Sequence, residues 1–144
     1  MDPSQVEAAI TERTRAILVV DLYGLPADYA SLREIARRRG LALIEDSAQS
    51  HGSTYREQPA GSLGDIACFS FYPSKNLGAF GDGGFIATSD DTLHDRVRQL
   101  RYMGQKVKHD HEILGYQERL DEIQAAILRV KLRHLDGFIA SLKL

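Results

Sequence analysis

Tryptophan is absent from this sequence, cysteine occurs once, and no apolar run approaches the length of a bilayer. Each absence closes off a class. A single cysteine, Cys68, allows no disulfide framework within the chain, so stability must come from a packed core; inside an apolar run it reads as a small buried filler. A membrane-spanning helix needs about 20 apolar residues in succession, and none is expected here. Charge of one sign is also missing. Eighteen basic residues against twenty acidic ones leave a net charge of −2, with no basic surplus to hold nucleic acid. The start, Met1-Asp2-Pro3-Ser4-Gln5, has neither the charged nor the apolar part of a signal peptide, and a cytoplasmic location is expected.

What is present is ordinary for a globular chain. With 43% hydrophobic residues in 144, one domain with a real core is expected. Asp2-Pro3-Ser4-Gln5 reads as a helix start, with Asp2 as cap and Gln5 completing a capping box. Ala16–Val20 is a continuous apolar run, as in a strand buried on both faces. Asp28 caps a helix to Arg39 with Tyr29, Leu32, Ile35 and Ala36 inward; Arg37, Arg38 and Arg39 suit its last turn and Gly40 ends it. Leu41–Ile44 is the next strand, so a parallel strand-helix-strand unit is predicted. The polar connection from Ser47 to Asp65 is too long for a mere turn and points to function. Ile66–Phe71 and Phe85–Thr88 are further strands. Ser89, Asp90 or Asp91 caps a helix carrying Leu93, Val97 and Leu100. Tyr102 to Gln117 reads as a loop. Leu120, Ile123, Ile127 and Val130 follow helical spacing from Arg119 to about Leu135, on a face broad enough to need a large partner, such as a second subunit.

Two residues carry the chemistry. Lys75 follows a short apolar strand and precedes a glycine-rich turn. Asp46 ends the run Leu41-Ala42-Leu43-Ile44-Glu45-Asp46. An amine for a Schiff base and a carboxylate for a pyridinium nitrogen are the two protein groups that pyridoxal phosphate (PLP) chemistry needs. Ligands of open α/β sheets sit beyond the carboxyl ends of the strands, where Asp46 lies. Each residue has a plainer alternative. Asp46 can start a turn; Lys75 can be an exposed turn lysine. Ser70, near a strand end, offers a hydroxyl to a phosphate or simply fills the strand. Gln49 is a ring contact or a surface amide. His51 is a general base by type or a structural histidine. Gly81-Asp82-Gly83-Gly84 lacks the dinucleotide spacing, and His109-Asp110-His111-Glu112 matches no strong metal pattern, so no metal is expected.

Longer motifs then accumulate. Ile44-Glu45-Asp46-Ser47-Ala48-Gln49-Ser50-His51-Gly52, Gly61-Ser62-Leu63-Gly64-Asp65, Phe69–Gly78, Gly81–Gly84 and Arg119–Ala126, in this order, resemble the DegT/DnrJ/StrS family of PLP-dependent sugar aminotransferases. The resemblance covers nearly the whole chain. It implies the aspartate aminotransferase-like fold (PLP fold type I), with a mostly parallel sheet flanked by helices. It maps the Schiff-base lysine onto Lys75, the pyridinium aspartate onto Asp46, the ring glutamine onto Gln49 and the phosphate serine onto Ser70. The family's Gly-Tyr-Asn-x-Arg asparagine, which reaches the neighbouring subunit's phosphate, falls on Gln117, an amide with one more methylene. The implied activity is amino transfer, usually from glutamate, to a keto group of a nucleotide-linked sugar, in a homodimer. Residues 1–144 then form a partial large domain, lacking an N-terminal segment and a C-terminal small domain, with exposed apolar sheet faces. An inactive association fragment and a regulatory PLP-binding relative remain alternatives.

Overall fold

Short-range rules set the first elements of the structure, a computed structural model that describes residues 1–142. Helix α1 (Pro3–Ala9) starts where Asp2 accepts the Ser4 N–H. Gln5 closes no capping box; its side chain reaches Ser4 instead. Strand β1 (Ala16–Val20) leads through a 3-10 turn at Leu22–Gly24 into α2 (Tyr29–Arg39). Asp28 caps α2 through Ser31, and Gly40 closes it with φ of 64°, a left-handed conformation in which an L side chain is strained. Strand β2 (Ala42–Asp46) then pairs parallel to β1, Ala16 opposite Ala42 through Val20 opposite Asp46.

The connection after β2 holds a small antiparallel hairpin, β3 (Thr54–Tyr55) and β4 (Gln58–Pro59), turning at Arg56 and Glu57, both with positive φ. Strand β5 (Ile66–Ser70) adds parallel to β2, and β6 (Gly84–Ala87) adds antiparallel to β5. The main sheet runs β1-β2-β5-β6. Helix α3 (Asp91–Arg101) follows, capped by Asp90. The segment expected as a loop contains a second hairpin, β7 (Gln105–Val107) and β8 (Asp110–His111). Its turn is held by the Gln105 side chain, which accepts the His109 N–H at 2.9 Å, a tertiary detail that polarity hides. The helix expected from Arg119 to about Leu135 is α4 (Glu122–Leu132), and a further helix, α5 (Leu135–Leu142), follows it.

The strands alternate, so each has two faces. Ile17, Val19 and Leu43 pack on Tyr29, Leu32, Ile35 and Ala36 of α2, with Leu63. The other face is open: Leu18 is 53% exposed, Val20 42% and Ile86 47%. The expectation of a strand buried on both faces therefore holds on one face only, because no described element lies over the other. Cys68 points to that open face and is exposed, which corrects its reading as a buried filler. On α4 the buried residue is Leu128, while Ile123 and Val130, on the face expected to meet a large partner, are exposed in the single chain. Leu128 joins a second cluster with Phe71, Leu77 and Ala79.

Candidate active site

Two parallel strands end side by side on the open face of the sheet. Asp46 is the last residue of β2 and sits in register with Cys68 of β5; Ser70 ends β5 two residues later, on the same face. Asp46, Cys68 and Ser70 line one open pocket with Leu18, Ile44 and Ala48. Asp46 Oδ1 accepts the Ala48 N–H at 3.1 Å. The turn-starting role is thus real, and it fixes the carboxylate at the strand end. Partial desolvation at the pocket wall, and then the Asp46 charge, push the thiol of the surface-exposed Cys68 above its ordinary pKa.

Lys75 follows at once. Its N–H donates to Tyr72 O at 2.9 Å, closing a turn that starts two residues after Ser70. The Ser70 hydroxyl accepts the Tyr72 N–H at 3.2 Å, so strand end and turn are tied together. Gln49 stands apart from the pocket lining: its Oε1 accepts the Tyr23 N–H at 2.8 Å and holds the β1–α2 connection. Gln117 lies elsewhere, exposed and bridged to Tyr102. The structure therefore brings Asp46 and Ser70 into one pocket, with Lys75 on the adjoining turn, and leaves Gln49 and Gln117 outside that lining.

Behind the open face lies a buried polar layer whose two carboxylates, Glu45 and Asp21, the sequence reading did not single out. Glu45 is fully buried. One carboxylate oxygen accepts from Ser47 Oγ (2.7 Å) and the Gly61 N–H. The other accepts from the N–H groups of Leu63 (2.9 Å) and Gly64 (3.1 Å). Asp21, equally buried, accepts from Tyr29 Oη at 3.0 Å, the Ala27 N–H at 3.3 Å and Ser50 Oγ at 3.2 Å. Burial raises its pKa, and the Glu45 charge adds to this against the opposing hydrogen bonds. Burial likewise raises the Tyr29 phenol, with the charge of Asp21 next. An acidic residue two positions after Leu43 in an apolar strand was the available signal for Glu45, since alternation places it on the covered face.

His51 belongs to this layer. It is buried against Phe69 and Phe71, ring centroids 5.2 and 6.0 Å away, and neither ring nitrogen has a hydrogen-bond partner among the described residues. Burial first, and then the Lys75 charge, lower its pKa; the Ser70 backbone, too poorly placed to count as a partner, offsets this only in part. The histidines of the 109–112 segment differ: His111 Nδ1 lies 2.9 Å from Met103 O and Nε2 3.3 Å from Gln105 Nε2, so both its nitrogens have protein partners.

The residues present fit PLP. A carboxylate at the strand end suits a pyridinium, Leu18 and Ile44 offer apolar surface to a flat ring, and the Ser70 hydroxyl and Lys75 amine lie five residues apart at the end of the neighbouring strand and on its turn. Comparison with known proteins agrees. The chain matches the DegT/DnrJ/EryC1/StrS aminotransferase family over residues 1–143. It is 54% identical over 138 residues to dTDP-3-amino-3,4,6-trideoxy-alpha-D-glucose transaminase of Streptomyces venezuelae, covering 96% of this chain and 36% of that protein. It is 57% identical over 140 residues to the erythromycin biosynthesis sensory transduction protein EryC1 of Saccharopolyspora erythraea, covering 97% and 38%. The crystal structure of S. venezuelae DesV superimposes with a TM-score of 0.92 at 55% identity, over 95% of this chain and 37% of that one. The chain thus spans little more than a third of the length of these relatives. Sequence, fold and site geometry converge: the chain belongs to the DegT/DnrJ/EryC1/StrS aminotransferase family, a family of PLP-dependent enzymes of fold type I.

Proposed function

We propose that residues 1–144 form part of the large, cofactor-binding domain of a cytoplasmic, homodimeric aminotransferase. The substrate is a nucleotide-linked keto sugar and the amino donor is glutamate. The observation that carries this reading is Asp46 and Ser70 in one pocket on the open sheet face, with Lys75 on the turn that follows. The names of relatives at about half identity support the substrate class. In the overall exchange the donor's amino nitrogen becomes the sugar's, the donor ends as a 2-oxo acid, and no outside oxidant is needed.

Bound PLP supplies an electron sink conjugated to the reacting carbon. The chain's own residues do the rest. Asp46 holds a proton on the ring nitrogen, since a carboxylate beside a protonated pyridine favours the charged form. Lys75 Nζ anchors the cofactor and, once free, carries the proton to and from the substrate carbon. Ser70 Oγ binds phosphate. Gln49 keeps Nε2 for the ring side while Oε1 holds Tyr23. Gln117 reaches the phosphate of the second subunit.

The test is PLP titration of the chain, borohydride reduction and peptide mapping. A visible absorption band and cofactor mass on the Lys75 peptide, both lost in Lys75→Ala, are the expected result. A folded chain that never labels at Lys75 overturns the assignment of its role. The name of the S. erythraea relative favours a second reading, a regulatory PLP-binding protein. That reading predicts labelling of Lys75 without amino transfer to any keto sugar.

A further inference from the structure

The loop that carries Lys75 is closed on itself at Phe71, whose N–H donates to Gly83 O and whose carbonyl accepts from Ala79 N, both at 2.7 Å. Leu77 and Ala79 anchor its middle in the cluster with Phe71 and Leu128. Two backbone groups at its far side, the Gly78 carbonyl and the Phe80 N–H, find their partners on α4. Gln124 Oε1 accepts the Phe80 N–H at 2.8 Å, and Lys131 Nζ donates to Gly78 O. The Lys131 ammonium also lies 5.9 Å from the centre of the Phe80 ring. These contacts span 44 and 53 residues of sequence. Gln124 and Lys131 are seven residues apart, two helical turns, so they share one face with Leu128 between them. That face offers an acceptor, an apolar centre and a donor to a loop whose backbone needs a donor's partner, a packing surface and an acceptor's partner. The fit is close: a Cβ on Gly81 would meet Gln124 Nε2 at 2.9 Å.

We propose that Gln124 and Lys131 are positioning residues for Lys75, with α4 acting as a splint that fixes the loop and so the reach of the amine. This deepens the reading of Lys75 as the reactive amine and rests on it. Neither side chain need touch the cofactor. Without these side chains the Phe80 N–H, on an exposed residue, and the carbonyl of the buried Gly78 would lose their partners on α4, and the loop would exchange one geometry for several.

The test uses the 144-residue chain and reads two quantities. One is hydrogen exchange of the Phe80 amide by NMR. The other is the rate of Lys75 modification by PLP and borohydride, resolved by peptide mass. Gln124→Leu keeps the volume and removes the acceptor; Phe80 exchange is expected to rise about tenfold, the scale of one lost hydrogen bond, and Lys75 modification to slow by a similar factor. Gln124→Glu keeps an acceptor oxygen and is expected to restore both. Lys131→Met removes the donor to Gly78 O and is expected to slow Lys75 modification; an unchanged rate in that variant also overturns the link to the amine. Unchanged Phe80 exchange in Gln124→Leu overturns the splint. Faster exchange with unchanged Lys75 modification overturns its link to the amine, as does failure of Gln124→Glu to restore the rate. If the parent chain itself is not modified at Lys75, the amine reading fails instead, and the exchange data still report whether α4 holds the loop.

Discussion

Glu45 accepts four hydrogen bonds from groups up to 19 residues away, and three of its donors are backbone N–H groups of the Gly61–Gly64 segment. Replacing one oxygen by an amide sets donor against donor in a buried site. Glu45→Gln is therefore expected to cost about 3 kcal/mol of unfolding free energy, read from the urea midpoint. Tyr29→Phe removes a single donor to Asp21 and is expected to cost less, about 1 kcal/mol, in the same titration. An outcome in which the two variants lose equal stability would remove Glu45 from its organising role. Asp46, Ser70 and Lys75 were legible from the sequence because each sits at a strand end or the turn just after it. Glu45 was not, since its importance lies in distant N–H groups that no local pattern announces.

At the scale of elements, local rules decided most boundaries. Asp90 accepts the N–H groups of Thr92 and Leu93 at 2.7 and 3.0 Å, as the sequence around Ser89–Asp91 suggested. Asp90→Ala is expected to lower stability by about 1 kcal/mol, measured as an earlier thermal transition. Gly40→Ala tests a different term. Among the described residues, nothing beyond its chain neighbours lies within 4 Å of the site for its Cβ, so any loss comes from the left-handed backbone alone, about 1 kcal/mol. The α2 residues chosen as inward are the buried ones. The two hairpins escaped notice because their strands are two or three residues long and polar, too short for any period to show. On α4 the period was visible, yet Ile123 and Val130 are exposed while Gln124 and Lys131 are half-buried, since that face meets a loop backbone as well as apolar side chains.

For the whole molecule, the buried polar layer makes stability depend on pH. Folded His51 has a pKa below the 6.5 of an ordinary histidine. Above pH 6.5 both folded and unfolded chains hold it neutral, and stability is full. As pH falls through 6.5 the unfolded chain takes up a proton that the folded chain refuses, so stability drops until folded His51 is protonated too. Asp21 works the other way, lower down: its raised folded pKa means the folded chain binds that proton before the unfolded chain does near 3.8, which eases the loss. Unfolding free energies measured between pH 7.5 and 5.5, about a unit either side of the histidine value, should fall in the parent chain and stay flatter in His51→Phe. A parent chain with no slope in that window would refute the buried, neutral histidine.

Apart from the two hairpins and α5, the sequence alone carried the order of the main strands and helices, the Asp2, Asp28 and Asp90 caps, the family and the placing of Asp46, Ser70 and Lys75 at strand ends or just beyond. These depend on spacing, on residue type and on backbone preferences that act within a few positions. Tertiary packing alone set which sheet face is covered, why Cys68 is exposed, what Glu45 and Asp21 hold, and how α4 meets the Lys75 loop. Those facts rest on contacts between segments tens of residues apart, where hydrogen-bond partners and burial come from the packing of elements and leave no local trace in the chain.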